Sequence, residues 1–364
     1  MTDLSRRKAI LAGAAGAIAL GPLGRPLSAS AQTPKPADRM LFIDALGGVA
    51  VNEEGLVAIP KSGMSMIDTT LGAPGNPPFS YEQAVADLAM WHGIFDRHGD
   101  RLIHVKSSSD ILAARDSGRL GVMLGFQNGT HLDRKLDNVE FFYNLGIRMM
   151  LLTYNELNDL GAGCTERHDT GLSHFGVDVV KKMNQLGMIV DLAHCGKRTS
   201  LDAIAQSEKP VLFSHNNCRA LNDNPRCKDD EQIRALAQKG GVMGIATVNF
   251  FVSSKPRSTL DDYIAHIDHV VQLVGIDHVA FGSDAPLTRW RSYYPTEKAF
   301  HDFHKQFNFK AGVDLRWPPF IEEIDVPEKM FIIKDALAKR GYKEADLRKI
   351  MGENLLRVYR QVIG

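Results

Sequence analysis

The stretch MIVDLAHCG, residues 188–196, decides how this 364-residue chain is read. Its apolar run delivers a histidine at the end, and a second run, PVLFSH (210–215), does the same. Runs that are apolar throughout, rather than alternating, belong to strands buried on both faces, as in a parallel sheet covered by helices. His194 and His215 are therefore expected close together, at the carboxyl ends of two such strands.

Six further runs share the pattern: MLFIDA (40–45), RLIHVK (101–106), LGVMLGF (120–126), IRMMLLTY (147–154), GVMGIAT (241–247) and HVAFGSD (278–284). Helical segments lie between most of them. In residues 80–98, Ala84, Leu88, Trp91 and Phe95 recur at three- and four-residue steps, one apolar face. In residues 173–187, Ser173 is placed to cap a helix and Gly187 to stop it. Eight strand–helix units predict an α/β fold, a (β/α)8 TIM-like barrel, with function gathered where the strands end. Those ends carry Asp44, Lys106, Gln127, Tyr154 with Asn155, His194, His215, Thr247 and Asp284. A single polar strand end commonly just anchors a loop. Two imidazoles and a carboxylate on one rim, however, are ligand types that suit zinc.

Composition narrows the partners. The chain has 43 basic and 43 acidic residues with 44% hydrophobic content, which points to a globular protein and away from nucleic acid or an anionic membrane surface. A small-molecule or peptide substrate is the expected partner. Residues 1–31 combine Arg6-Arg7-Lys8, a short apolar run and Ala29-Ser30-Ala31, the pattern of a twin-arginine signal peptide. Export to the periplasm follows as an expectation, with a linker at 32–39, one catalytic domain at 40–364 and no membrane span after signal removal. Cys164, Cys195, Cys218 and Cys227 remain in the mature chain, and pairing of Cys218 with Cys227 would pin the loop that holds Arg226. Cys195 follows His194 directly, so it should face away from the site as a buried thiol. The segment 342–364 reads as a closing helical element.

At the level of motifs, the chain resembles the membrane dipeptidase (renal dipeptidase) family of the amidohydrolase superfamily. The matching stretches are GFQNG (125–129), LTYNELNDLGAGC (152–164), the segment 171–194, PVLFSH (210–215), NPR (224–226), DHVAFGSD (277–284) and GENLLRVY (352–359). The resemblance implies that His194 and His215 bind one zinc ion, that Arg226 holds the substrate carboxylate and that Asp284 handles the proton. It also exposes departures. The family's His-x-Asp pair after the first strand falls on Leu46 and Gly48, its bridging glutamate on Gln127, and a carbonyl-polarising histidine on Tyr154. Gln127 and Tyr154 are left as substrate-facing groups, and one metal ion is expected rather than two. Asp284, Cys195, Gln127, Asp44 and Glu166 are candidate third ligands.

Two long connections, 47–78 and 286–327, read as lid-like loops. The second carries Trp290, Tyr293, Tyr294, Phe300, Phe303, Phe307, Phe309 and Trp317, which could clamp a substrate, pack under the lid or meet a second subunit in a homodimer. His301 and His304 there read as surface residues. Three functions compete: a zinc-dependent dipeptidase-like hydrolase; a barrel enzyme that opens rings or cleaves carbon–carbon bonds; and a silent binding protein. The retained His194, His215, Arg226 and Asp284 argue against the third, and the replacements at Leu46, Gly48 and Gln127 against an unmodified version of the first, so the first is expected in a single-metal form.

Overall fold

Seven of the eight runs supply barrel strands, and the ring is completed by a segment whose pattern hides it. The computed structural model describes residues 39–72, 79–305 and 315–364. The parallel strands are β1 (Ile43–Asp44), β2 (Met66–Thr70), β3 (Leu120–Phe126), β4 (Ile147–Leu151), β5 (Ile189–Asp191), β6 (Leu212–Asn216), β7 (Val242–Ile245) and β8 (Val279–Phe281), neighbours in that order. Between β8 and β1 the Ala45 N–H donates to Phe281 O at 3.1 Å, and just beyond, Gly47–Gly48 pairs with Ala285–Pro286. The fold is the expected (β/α)8 barrel.

Two expectations change. The run 101–106 forms a short strand, Leu102–Val105, that pairs with the start of β3 and lies off the ring. The barrel's second strand instead comes from 47–78, the stretch read as a lid-like loop, which folds into helix Glu53–Ser62 followed by β2. The physical reason is composition. MIDTT carries a carboxylate and two threonines, yet Asp68 is fully buried, so β2 lacks the uniform apolar signature. The signal segment 1–31, linker residues 32–38, Phe307, Phe309 and the Phe303 side chain lie outside the described residues.

The helices form where caps and apolar faces predict. Ser173 Oγ accepts the Gly176 N–H at 2.9 Å, and Gly187 closes helix His174–Leu186 with φ 82°. Helix Tyr81–Arg97 opens with a reciprocal Ser80–Gln83 cap and buries Ala84, Leu88, Trp91 and Ile94; Phe95, on the expected face, is only partly buried. Inside the barrel each strand contributes to one apolar layer: Ile43, Met66, Met123, Met149, Ile189, Leu212, Val242 and Ala280. Helix Asn354–Val362 adds Leu355, Val358, Tyr359 and Val362 to that layer and closes the amino-terminal end. At about 1.5–3 kcal/mol for each large apolar side chain buried, this end supplies stability and leaves the other rim free for chemistry. The Tyr359 hydroxyl is buried there without a partner. A buried unpaired hydroxyl costs about 1–3 kcal/mol. Tyr359→Phe is therefore expected to raise the urea midpoint, with a gain of roughly 1 kcal/mol; a lower midpoint would show that the hydroxyl is used.

Within 286–327 the described aromatic residues pack on one another and on the segment after β7. Trp290 stands edge-on to Trp317 with centroids 5.0 Å apart, and Tyr294 packs on Phe300 at 5.4 Å. Phe300, Phe250 and Phe251 form a small core of their own beside Cys227. All four cysteines are free, so the Cys218–Cys227 link that the sequence left open is not formed; the two thiols donate instead to His266 O and Phe251 O. His301 pairs with Glu297 and His304 bonds to Phe300 O, both away from metal chemistry.

Candidate active site

The ends of β5 and β6 bring His194 and His215 together with their Nε2 atoms 2.9 Å apart, both rings buried. Their tautomers follow from the partners on the far side of each ring. His194 Nδ1 lies 2.7 Å from Asn155 Oδ1, an atom that can only accept, so Nδ1 carries the hydrogen. His215 Nδ1 lies 2.7 Å from Ser214 Oγ, whose own hydrogen goes to Asp191 Oδ2 at 2.5 Å. Asp191 Oδ1 in turn accepts the N–H groups of Ala193 and Ser214. Burial pushes Asp191 upward, and these hydrogen bonds oppose it. Both imidazoles therefore present Nε2 lone pairs to one point. Burial, followed by the Arg226 charge, holds both rings well below the usual imidazole range, so they stay neutral.

Backbone packing also confines the strand that carries the second histidine. Gly244 and Gly282 lie against β6 so closely that a β-carbon would come within 2.1 and 1.9 Å of Ser214 O. The loop after β4 supports the first. Cys164 N–H donates to His194 O at 2.8 Å, and Tyr154 stacks on the His194 ring with centroids 4.1 Å apart. Burial keeps the Tyr154 phenol protonated. Lys228, buried, reaches under the same turn: its Nζ donates to Leu192 O and Cys195 O, each at 2.8 Å. Burial lowers that ammonium to about 8.

Arg226 is 2% exposed. Its Nη1 donates to Ala193 O at 2.7 Å and its Nη2 approaches His194 Nε2 at 3.2 Å, while the guanidinium lies 5.0 Å above the Phe251 ring. Nε is buried and unpartnered, a free donor. Asp284, beyond β8, has φ 56° and is held by its N–H to Leu46 O at 2.9 Å. Burial raises its carboxyl to about 7, against the pull of Arg226. Asp44 closes the barrel beneath, taking Ser283 N–H and O–H, and burial raises it to about 6. Gln127 is buried at the end of β3.

The donor set tests the metal expectation. Two imidazoles of fixed tautomer converging on one point fit nitrogen ligation of a single ion, and each has the oxygen acceptor behind it that metal-bound histidines use. The two-ion set does not fit: Leu46 joins the apolar core, and Gly48 pairs with Pro286. Nor does a third residue ligand emerge, since no group of three His, Cys, Asp or Glu side chains suited to a metal occurs among the described residues. Cys195 accepts from Thr153 Oγ1 and faces away, Glu166 is engaged by the N–H groups of Leu157 and Arg167, and Asp44 serves Ser283. The sequence reading brought His194, His215, Tyr154, Arg226 and Asp284 to this rim. It passed over Ser214, Asp191 and Lys228, whose roles depend on contacts across strands, and named Asn155 only as a strand end.

Comparison with known proteins identifies the family. A family model described as membrane dipeptidase (peptidase family M19) matches residues 67–287. Dipeptidase verJ of Clonostachys rogersoniana is 29% identical over 282 residues, covering 77% of this chain and 65% of its own length. An uncharacterized dipeptidase of Schizosaccharomyces pombe is 33% identical over 196 residues, 52% of this chain and 47% of its own. The chain thus spans less than two thirds of both. The crystal structure of an amidohydrolase from Pseudomonas aeruginosa superposes with TM-score 0.80 at 31% identity, covering 91% of this chain and all of that one. With the family model spanning more than half of the sequence and the barrel shared, the chain belongs to the membrane dipeptidase family, peptidase family M19.

Proposed function

We propose that this chain is an exported, zinc-dependent hydrolase that cleaves the amide bond of a dipeptide or similar small acyl-amino acid at a mononuclear site. The observation that carries the reading is the approach of the two Nε2 atoms to 2.9 Å, with an oxygen at 2.7 Å behind each Nδ1. His194 and His215 would hold the ion, with water and substrate completing its coordination. When bound, zinc supplies Lewis acidity toward the scissile carbonyl.

The chain's own groups do the rest. Arg226 Nε, buried and without a partner, is the donor a substrate carboxylate would satisfy. Asp284, with a carboxyl near 7, takes a proton from the attacking water as the new carbon–oxygen bond forms. It returns that proton to the departing nitrogen as the carbon–nitrogen bond breaks. Tyr154, stacked on His194 and kept protonated, limits water around the ligand ring. The signal-like residues 1–31 support export.

Plasma mass spectrometry on protein purified without chelator tests the proposal, together with turnover of a dipeptide panel. About one zinc per chain and cleavage of at least one dipeptide are expected. No metal, even after zinc is offered back, would overturn the reading; two ions per chain would overturn the mononuclear site.

A further inference from the structure

We infer that Asn155 is a positioning residue for the metal-facing histidine: its side-chain oxygen, not its place in the loop, sets the His194 tautomer. The inference rests on the single-metal reading above. Two donors converge on Asn155 Oδ1, the His194 Nδ1–H at 2.7 Å and the Cys164 thiol at 3.5 Å. The amide oxygen is the atom that faces both groups, and an oxygen there can only accept. The backbone around it is held independently: Asn155 has φ 57°, and its carbonyl accepts both the Thr165 N–H and the Thr165 hydroxyl, at 2.9 and 2.8 Å. Asparagine tolerates this left-handed conformation better than most residues, and its amide is thereby delivered to the ring.

Neutral imidazole carries one hydrogen, and the partner of one nitrogen decides what the other can do. Without an acceptor at Nδ1, the hydrogen is free to move to Nε2, where it would lie between the two facing nitrogens and block ligation. His215 does not share this dependence, since its Nδ1 is served by Ser214 and Asp191. Loss of Asn155 should therefore disable one ligand of the pair and leave the other correctly presented.

The test is zinc affinity of chelator-stripped protein by competition with a chromophoric chelator, with the absorption spectrum of the cobalt form as a second readout. Asn155→Asp keeps an acceptor and should bind within a few-fold of wild type. Asn155→Gly keeps the left-handed backbone but removes the acceptor, and Asn155→Ala removes both advantages. Both should bind about 10–100-fold more weakly, with an altered cobalt spectrum. If Asn155→Gly binds as wild type does, the side chain has no positioning role and the inference is overturned, whatever Asn155→Ala does. Weakened binding in Asn155→Asp equal to that in Asn155→Gly would also overturn it. Failure of the wild type to bind, or undiminished binding in His194→Ala, would sink the single-metal reading itself, a distinct result. Unfolding midpoints measured in chelator separate folding defects from ligation, and Asn155→Gly remains decisive if Asn155→Ala does not fold.

Discussion

Alanine at either His194 or His215 should strip the protein of tightly held metal and lower kcat/KM by about three orders of magnitude. That figure is the loss of roughly 4 kcal/mol of transition-state stabilisation, within the several kcal/mol a Lewis acid supplies. The two variants should behave alike, because each removes half of a donor set in which no third protein ligand is gathered among the described residues. One imidazole alone is a poor zinc site. Metal analysis after gel filtration, with kcat/KM for the best dipeptide, reads both effects. Wild-type metal content in either variant would mean that the facing nitrogens at 2.9 Å are a hydrogen-bonded pair with no part in ligation.

Asp284→Asn should do the opposite: keep the metal and lose turnover. Removing a general acid–base typically costs about 10²- to 10⁴-fold. The pH profile supplies the more specific check. Burial raises the Asp284 carboxyl from 3.8 to about 7, so the basic form is gained as pH rises through that value. kcat/KM of the wild type should thus climb on the acid side with an apparent pKa near 7 and level off above it. In Asp284→Asn that limb should vanish, leaving a low, flatter profile. A limb that survived the substitution would assign it to another group and remove Asp284 from the proton transfer.

Much of this was legible in the sequence, for a physical reason. Runs dominated by apolar residues, such as IRMMLL and MIVDLA with one charged residue each, report strands covered on both faces, and His194, His215 and Asp284 lie just where such runs end. β2 was illegible because its burial is not reflected in its composition: Asp68 and two threonines sit in a strand of five residues. The Leu102–Val105 run misled for the complementary reason, since it is apolar enough for a barrel strand yet only partly buried. At the site, the ligands were visible while their supports were not. Asp191 and Ser214 lie 23 positions apart, and Lys228 reaches carbonyl groups more than 30 positions away. Such contacts depend on register, which no local pattern encodes.

The glycines beside Ser214 have a consequence for how this protein can change. Around most of the rim a substitution alters a rotamer or a volume, and neighbours can accommodate it. At Gly244 and Gly282 the obstacle is main chain, the Ser214 carbonyl, which has no rotamer to give. A methyl group there would push β6 bodily and carry His215 with it. In a randomised library these two positions should therefore be nearly as intolerant as the ligands, although neither bears a side chain, and a search confined to side chains facing the substrate would miss both.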